Sequence, residues 1–158
     1  MDSLPILVPG EAGWDKIWND NAAKIVAAIN GATEDSGWIT NGITLINGFT
    51  EFGGSAYDTL QYRYVSLGGA KKAVLVNGGL KVPDNLQADN WMDFCTVPDD
   101  LNQFILDNPA VKQGFSGFVS GGSVVAMSFN LNTKKIAVRS KETIAEGDRL
   151  QVNYIGIA

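Results

Sequence analysis

The sequence predicts a mainly β protein in which a short N-terminal α-helix precedes an antiparallel β-sandwich or jelly-roll head. Between residues 43 and 82, runs of β-branched and aromatic residues alternate with Asn-Gly and Gly-Gly pairs, the pattern of strands joined by tight hairpin turns. Glycine is frequent, at 18 of 158 residues, and lies between apolar runs. Upstream of this block, apolar residues recur at spacings of three and four, which is the period of a helix.

The predicted helix belongs to an N-terminal unit, residues 1–31, which begins with an extended lead-in containing Pro5 and Pro9. Asn30 and Gly31 are suitable residues for the helix C-terminus. Its apolar residues follow the spacing of a coiled-coil seam, but about two heptads are too short to form a coiled coil alone. Two interpretations therefore stay open: the helix packs on its own domain, or it meets symmetry mates in an oligomer. The oligomer contacts predicted on the helix are Trp14, Trp18, Ala22, Ile25 and Ile29.

The predicted head spans residues 37–158 and contains roughly eight to ten short strands, which is typical of a sandwich or jelly roll. Residues 82–98 are predicted to form an irregular loop, and a short helical turn is predicted to follow Pro98. The final strand has apolar residues on both faces, which predicts that a second sheet or a neighbouring subunit covers it. The oligomer contacts predicted on its outer face are Ile155 and Ile157.

The composition limits the classes of partner. The net charge is −5, which provides no electrostatic attraction for nucleic acid or for an anionic membrane. No apolar run approaches the roughly 20 residues needed to span a bilayer, and the N-terminus has no signal-peptide pattern. Cys95 is the single cysteine, and its apolar neighbours predict a small buried side chain. Acidic residues concentrate between residues 84 and 107, whereas basic residues cluster between 134 and 141.

The chain contains no histidine, which argues against catalysis. Ser–His and Cys–His arrangements are excluded, and one cysteine without histidine cannot supply the four ligands of a zinc site. No glycine-rich loop has the lysine and the helix context of a phosphate site. Glycoside hydrolysis by two carboxylates stays conceivable at Glu51 with Asp58 or at Asp89 with Asp93, although sequence spacing does not place them. We expect a non-enzymatic protein without a cofactor or a metal.

The strongest candidate site is a saccharide-binding loop. Saccharides are bound by an aromatic face against their C–H surface and by amide or carboxylate groups at their hydroxyls. Residues 89–93 hold all of these groups, and loops on rigid β scaffolds commonly carry function. In one alternative, Trp91 closes the end of the sandwich; in another, Asp84, Asp89 and Asp93 hold Ca²⁺, although their spacing matches no calcium loop. The predicted saccharide-binding residues are Trp91, Asp89, Asn90 and Asp93, with Tyr57 and Asp58 beside a glycine turn as a second candidate.

Several segments carry a family resemblance. Residues 9–25 read PGEAGWDKIWNDNAAKI, residues 43–49 read ITLINGF, and residues 60–64 read LQYRY. Two further segments, AVLVNGGLKV at residues 73–82 and TVP at residues 96–98, complete the set. The first segment resembles the opening helix in tail and baseplate proteins of phages that infect Gram-positive bacteria. The next three resemble strand segments of the C-terminal β domain of those proteins, and TVP resembles the segment that introduces their long loop.

The resemblance implies that the N-terminal helix docks to other virion proteins, that the molecule is a homotrimer, and that the β head contacts host cell-wall saccharide. It also implies a place in the virion after synthesis in the host cytoplasm. The alternative within the same resemblance is a purely structural virion protein. Such a protein, for example a baseplate adaptor, a head fibre or a decoration protein, contacts only other virion proteins.

Overall fold

The computed structural model describes residues 20–25, 35–55, 58–67, 72–84, 86–111 and 113–157. Residues 20–25 are helical, and the remaining described residues contain nine strands and one further helix. The strands are β1 (Thr44–Leu45), β2 (Thr50–Glu51), β3 (Gln61–Ser66), β4 (Lys72–Lys81), β5 (Met92–Thr96), β6 (Gly114–Val119), β7 (Val124–Asn130), β8 (Lys135–Ser140) and β9 (Arg149–Ile157). Helix α1 (Asp99–Asp107) lies between β5 and β6.

All nine strands belong to one antiparallel sheet. Hydrogen bonds connect them in the order β1-β5-β8-β7-β6-β9-β4-β2, and β3 also pairs with β4. The β4–β9 pairing is long, running from Ala73 opposite Ile157 to Lys81 opposite Arg149. The β-branched and aromatic residues of these strands favour the pleated conformation because their side chains pack well against cross-strand neighbours.

A short segment brings the two ends of this sheet together. β1 pairs with β5 at one end of the strand order, whereas β2 pairs with β4 at the other end. Residues 44–51 contain both strands, and a chain of this length reaches at most about 28 Å when fully extended. The sheet therefore curls into a nearly closed form.

The Asn-Gly turn within this closing segment, residues 44–51, has the predicted backbone conformation, but it does not form the predicted hairpin. Asn47 and Gly48 have φ values of 53° and 80°, and the Phe49 N–H donates to the Ile46 carbonyl at 3.2 Å. Both central residues thus adopt the left-handed conformation that an Asn-Gly turn favours. The strands on either side of the turn do not pair with each other, so the hairpin predicted here is wrong and the turn is a corner of the curled sheet.

The core lies inside the curled sheet. Three aromatic side chains pack together with ring centroids 4.8 to 5.4 Å apart, in tilted and edge-to-face arrangements that aromatic pairs prefer. They are Phe115, Phe129 and Tyr154. The largest fully buried side chains are Phe94, Leu80, Leu86, Leu101, Ile105, Met127, Ile136, Leu150, Val74, Val76, Val82 and Val125. Because side chains alternate along each strand, a slip of one residue would expose this set, and the core therefore fixes the strand register.

Helix α1 covers part of the core. Leu101 and Ile105 are one helical turn apart and both are buried. Asp99 and Asp100 occupy the first turn, where the partial positive charge of the helix N-terminus favours carboxylates. The helical turn predicted after Pro98 is confirmed.

The predicted mainly antiparallel β fold is confirmed. The two packed sheets of a sandwich or jelly roll are not confirmed, because the described strands form one continuous sheet. The prediction of an irregular loop over residues 82–98 is wrong for its second half, where β5 pairs with both β1 and β8. The register shifts between Asp93 and Cys95, so the segment lacks the regular alternation by which a strand is recognised in a sequence.

Little of the predicted N-terminal unit lies within the described residues. Residues 20–25 are helical, and Ala22 and Ile25 are exposed there. None of the helices in the described ranges is long and apolar enough to cross a bilayer. The predicted oligomer contacts that lie outside the described residues are Trp14, Trp18 and Ile29.

The outer face of β9 is apolar near its C-terminal end. Ile155 and Ile157 are 68% and 56% exposed, and they lie opposite Leu75 and Ala73 of β4. The inward residues of the same strand are buried, so the predicted alternation is confirmed. Of the two coverings predicted for the outer face, a second sheet is not found in the part of the chain that the structure describes.

Candidate functional site

The acidic and basic segments of the sequence meet in the fold. The pairing of β5 with β8 places residues 89–99 beside residues 134–141. Four ion pairs connect these two described segments. Partly exposed ion pairs contribute about 0–1 kcal/mol each to stability, so the main effect of these four is to position side chains. The pairs are Lys134 with Asp99 at 2.7 Å, Lys135 with Asp93 at 2.9 Å, Lys141 with Asp89 at 2.8 Å and Arg139 with Asp89 at 3.7 Å.

Trp91 lies on the surface next to these ion pairs. Its side chain is 50% exposed, which does not fit the alternative in which it closes the end of the fold. The Arg139 guanidinium lies 5.6 Å from the indole ring, a cation–π distance. An aromatic ring, a carboxylate, an amide and two cationic groups therefore share one surface region. We call this region the Trp91 site, and its residues are Asp89, Asn90, Trp91, Arg139 and Lys141.

The loop that carries the Trp91 site is fixed by its backbone. Asp89 has a φ of 60°, a left-handed conformation that aspartate tolerates in turns. Its N–H donates to the Ser140 carbonyl at 2.8 Å, which ties the loop to the end of β8. The hydrogen bond from Lys141 and the charges of Lys141 and Arg139 lower the pKa of Asp89, so its carboxylate stays ionised and able to accept hydrogen bonds.

The structure places Asp93 apart from the loop that it was predicted to share. Asp93 lies on β5 opposite Ala137, and its carboxylate is 2.9 Å from Lys135 Nζ. Its backbone carbonyl accepts a hydrogen bond from Asn47 Nδ2 at 2.8 Å. These contacts connect β5 to β8 and to the closing turn, which gives Asp93 a structural role. Its predicted contact with saccharide stays a prediction.

Asp58, from the second predicted pair, is only 7% exposed. Its carboxylate accepts hydrogen bonds from Ser55 Oγ at 2.8 Å and from Arg149 Nη2 at 2.7 Å. A Cβ atom at Gly79 would lie 2.6 Å from Asp58 Oδ1, so glycine at that position leaves room for the ion pair. The structure thus buries Asp58 in an ion pair with the partly exposed Arg149, in place of an open surface. Tyr57 lies outside the described residues.

Metal binding finds no support in the described residues. They contain no group of three or more cysteine or acidic side chains that could hold a metal ion. Two members of the predicted Ca²⁺ set, Asp89 and Asp93, each lie beside a lysine instead. Cys95 is buried as predicted, and burial raises the pKa of its thiol, so little reactive thiolate forms near neutral pH.

A cavity of about 620 Å³ lies where β3, the start of β4, helix α1 and residues 35–36 meet. The rings of Tyr64 and Phe104 pack against each other there, with centroids 5.2 Å apart. Nothing in the sequence pattern predicted this cavity, because its residues come from four separate segments. We call it the Tyr64 cavity. Its lining residues are Asp35, Ser36, Tyr64, Val65, Ser66, Lys72, Asp100 and Phe104.

Two tyrosines on β3 differ in the hydrogen bonding of their hydroxyl groups. The Tyr62 hydroxyl donates to Asp100 Oδ2 at 3.1 Å, whereas the buried Tyr64 hydroxyl has no hydrogen-bond partner among the described residues. An unpaired buried polar group costs about 1–3 kcal/mol, and phenylalanine would fill the same space without that cost. Burial, followed by Asp100, raises the pKa of Tyr62 to about 12, and burial also raises the pKa of Tyr64. Both phenols are therefore neutral near pH 7.

A bidentate salt bridge borders the Tyr64 cavity. Arg63 Nε donates to Asp35 Oδ1 at 2.6 Å, and Arg63 Nη2 donates to Asp35 Oδ2. The same guanidinium lies 5.7 Å from the ring of Trp38, and the Gly37 N–H donates to Asp35 Oδ1 at 2.9 Å. The paired fork geometry fixes the segment before β1 against β3.

This salt bridge predicts a pH dependence of stability. The hydrogen bonds from Arg63 and Gly37 lower the pKa of Asp35 from 3.8 to about 2. Because the folded pKa is below the unfolded one, the stabilisation is present above pH 4 and is lost as the pH falls through 2. We expect Asp35→Asn to reduce the slope of unfolding free energy against pH between pH 4 and 2. Asp84→Asn, at an exposed carboxylate, is the control; an equal change in both variants would contradict the assignment.

Comparison with known proteins gives no family assignment. No family model matches the chain, and neither the curated proteins nor the solved structures gave a match.

Proposed function

We propose that this chain is a non-enzymatic component of a phage tail or baseplate whose β head binds saccharide on the host cell surface. The virion assignment is supported by the resemblance of residues 9–25 and 43–49 to tail and baseplate proteins of phages. The proposal includes a jelly-roll type of head behind an N-terminal helix that docks to other virion proteins. The described antiparallel strands support the β part of that description.

The observation that carries the binding proposal is that Trp91 is exposed beside the charged and polar side chains of the Trp91 site, which are held in fixed positions. A half-exposed indole presents a flat apolar face, and the amphipathic faces of saccharide rings stack on such surfaces. The Asp89 carboxylate and the exposed Asn90 amide stand on the same loop and supply acceptors and donors for hydroxyl groups. Arg139 and Lys141 hold the ring and the carboxylate in position.

The proposal also includes a homotrimer. The exposed apolar face at Ile155 and Ile157 supports contact between protomers, because burial of such side chains is favourable. Three equivalent heads would engage a repetitive cell-wall polymer together, so that weak individual sites give strong overall attachment.

We expect the double variant Ile155→Lys, Ile157→Lys to dissociate the trimer, because it places two like charges per protomer in an apolar contact. The molar mass is measured by light scattering, and the apparent dissociation constant is expected to rise by about a hundredfold or more. Val124→Lys, at another exposed apolar residue of the sheet, is the control and should stay trimeric. A monomeric wild-type protein would overturn the trimer.

Exposed apolar residues elsewhere on the sheet favour a second candidate function. Phe118 and Val124 pair across β6 and β7 and are 53% and 58% exposed. Such a pair fits a protein partner better than a saccharide, so this chain is alternatively a structural virion protein that contacts only other virion proteins. The two functions share a fold and an oligomer, and they differ in the role of the Trp91 site.

The proposed function is tested by retention of the purified protein on isolated cell walls of Gram-positive hosts. We expect saturable retention that survives protease treatment of the walls and is lost when the wall polysaccharide is removed. Retention on no wall preparation would favour the structural virion protein. Shortening of the polysaccharide during incubation would show an enzyme and would contradict the non-enzymatic assignment.

A further inference from the structure

The Tyr64 cavity has the composition of a small-molecule site. Its volume of about 620 Å³ falls in the range of about 300–1,000 Å³ typical of ligand pockets. One wall is formed by the rings of Tyr64 and Phe104. Polar groups of both kinds converge on it, since Lys72 is a donor and Asp100 is an acceptor.

The charges around the cavity favour an uncharged ligand. The Asp35 carboxylate is neutralised by its salt bridge with Arg63. Among the described lining residues the remaining charged groups are Lys72 and Asp100, which have opposite signs. These residues offer no net positive charge to a phosphate or carboxylate ligand. Hydroxyl groups, which both donate and accept hydrogen bonds, fit a lining that contains both a donor and an acceptor.

The Tyr64 hydroxyl, which has no hydrogen-bond partner among the described residues, is a second indication that packing alone did not determine this lining. A phenylalanine would provide the same aromatic wall without an unsatisfied polar atom. Neighbouring Tyr62, on the same face of β3, uses its hydroxyl in a bond to Asp100. Polar atoms are thus concentrated where the core would otherwise be apolar.

We propose that the Tyr64 cavity binds one uncharged pyranose ring, as a second saccharide subsite of the head in addition to the Trp91 site. This inference rests on the proposed saccharide-binding function. The ring of Phe104 provides the apolar wall for the C–H face of the sugar, while Lys72 and Asp100 bind its hydroxyl groups. A wall polysaccharide would then be held at two places on each protomer.

The experiment is an NMR titration of the full chain with glucose, N-acetylglucosamine, galactose and rhamnose, and with galacturonate and glycerol phosphate as anionic probes. We expect at least one neutral sugar to shift the signals of Phe104, Tyr64 and Lys72 in a saturable manner. The expected dissociation constant is on the order of 1 mM, as is usual for a ligand of this size. The anionic probes are expected to give no saturable shift at these residues.

Two variants make the test specific. Phe104→Leu removes the aromatic wall, and Lys72→Gln removes the ammonium group from an exposed side chain; each is expected to weaken sugar binding about fivefold or more. Phe118→Leu makes the same change at an exposed ring elsewhere on the sheet and should leave binding unchanged. Equal binding by the wild type and both cavity variants would overturn the inference.

The outcomes also separate this inference from the proposed function. Shifts confined to Trp91 and Arg139 would overturn the cavity as a subsite and leave the saccharide-binding function intact. Saturable shifts by the anionic probes alone would overturn the assignment to an uncharged sugar. No shift at either site, together with no retention on cell walls, would overturn both proposals.

Discussion

Replacing Phe94 by alanine is expected to lower the free energy of unfolding by about 3–5 kcal/mol, the usual cost of removing a buried aromatic ring. Phe94 is fully buried on β5, and its ring packs on Phe49 with centroids 5.9 Å apart. Its carbonyl also accepts a hydrogen bond from the Ile46 N–H at 3.0 Å. The lost ring therefore leaves a cavity where the closing segment meets the sheet.

A loss of this size is a large part of the 5–15 kcal/mol that typically stabilises a domain. The measurement is urea unfolding followed by circular dichroism, with the midpoint and slope compared between variants. Phe118→Ala makes the same chemical change at an exposed ring, and it should change stability by less than about 0.5 kcal/mol. A loss below about 1 kcal/mol in Phe94→Ala would show that this part of the sheet collapses to refill the space.

The regular strands of this fold were predictable from sequence. The final strand has strict alternation, and its inward residues Leu150, Val152 and Tyr154 are buried as the period of two requires. The closure of the sheet was not predictable, because an Asn-Gly turn usually joins strands that pair with each other. Here β1 pairs with β5 and β2 pairs with β4, and these pairings depend on contacts between distant parts of the chain.

The candidate site was likewise predictable only in part. Trp91 and Asp89 could be selected from sequence because an aromatic ring and a carboxylate stand close together in a polar segment. Their partners Arg139 and Lys141 follow about fifty residues later, and only the pairing of β5 with β8 brings them together. The one available signal was the separation of acidic and basic residues into two segments, which indicates that the segments attract each other.

Asp58 illustrates why a local pattern misleads. Beside a glycine turn it has the appearance of an exposed ligand, yet Arg149, which lies 91 residues later, donates a hydrogen bond to it. Whether a carboxylate is open or buried depends on the β4–β9 pairing, since Gly79 and Arg149 belong to those strands.

Replacing Trp91 by alanine is expected to abolish retention on host cell walls while leaving the fold intact. The side chain is half exposed, so its removal opens no core cavity, and surface changes of this kind alter stability by about 0.5 kcal/mol or less. If each protomer of a trimer loses about tenfold in affinity for its segment of polysaccharide, the three losses combine through avidity and retention falls far more steeply than for a single site.

The matched control for this variant is Trp38→Ala. Trp38 is 43% exposed and lies under the Arg63 guanidinium at 5.7 Å, an environment close to that of Trp91 under Arg139 at 5.6 Å. The two variants thus remove the same ring from similar cation–π contacts, and they differ in the neighbouring polar groups. Retention lost in Trp91→Ala and kept in Trp38→Ala would locate saccharide binding at the Trp91 site. Retention equal to that of the wild type in both variants would remove Trp91 from the saccharide-binding surface and would place saccharide binding elsewhere on the head.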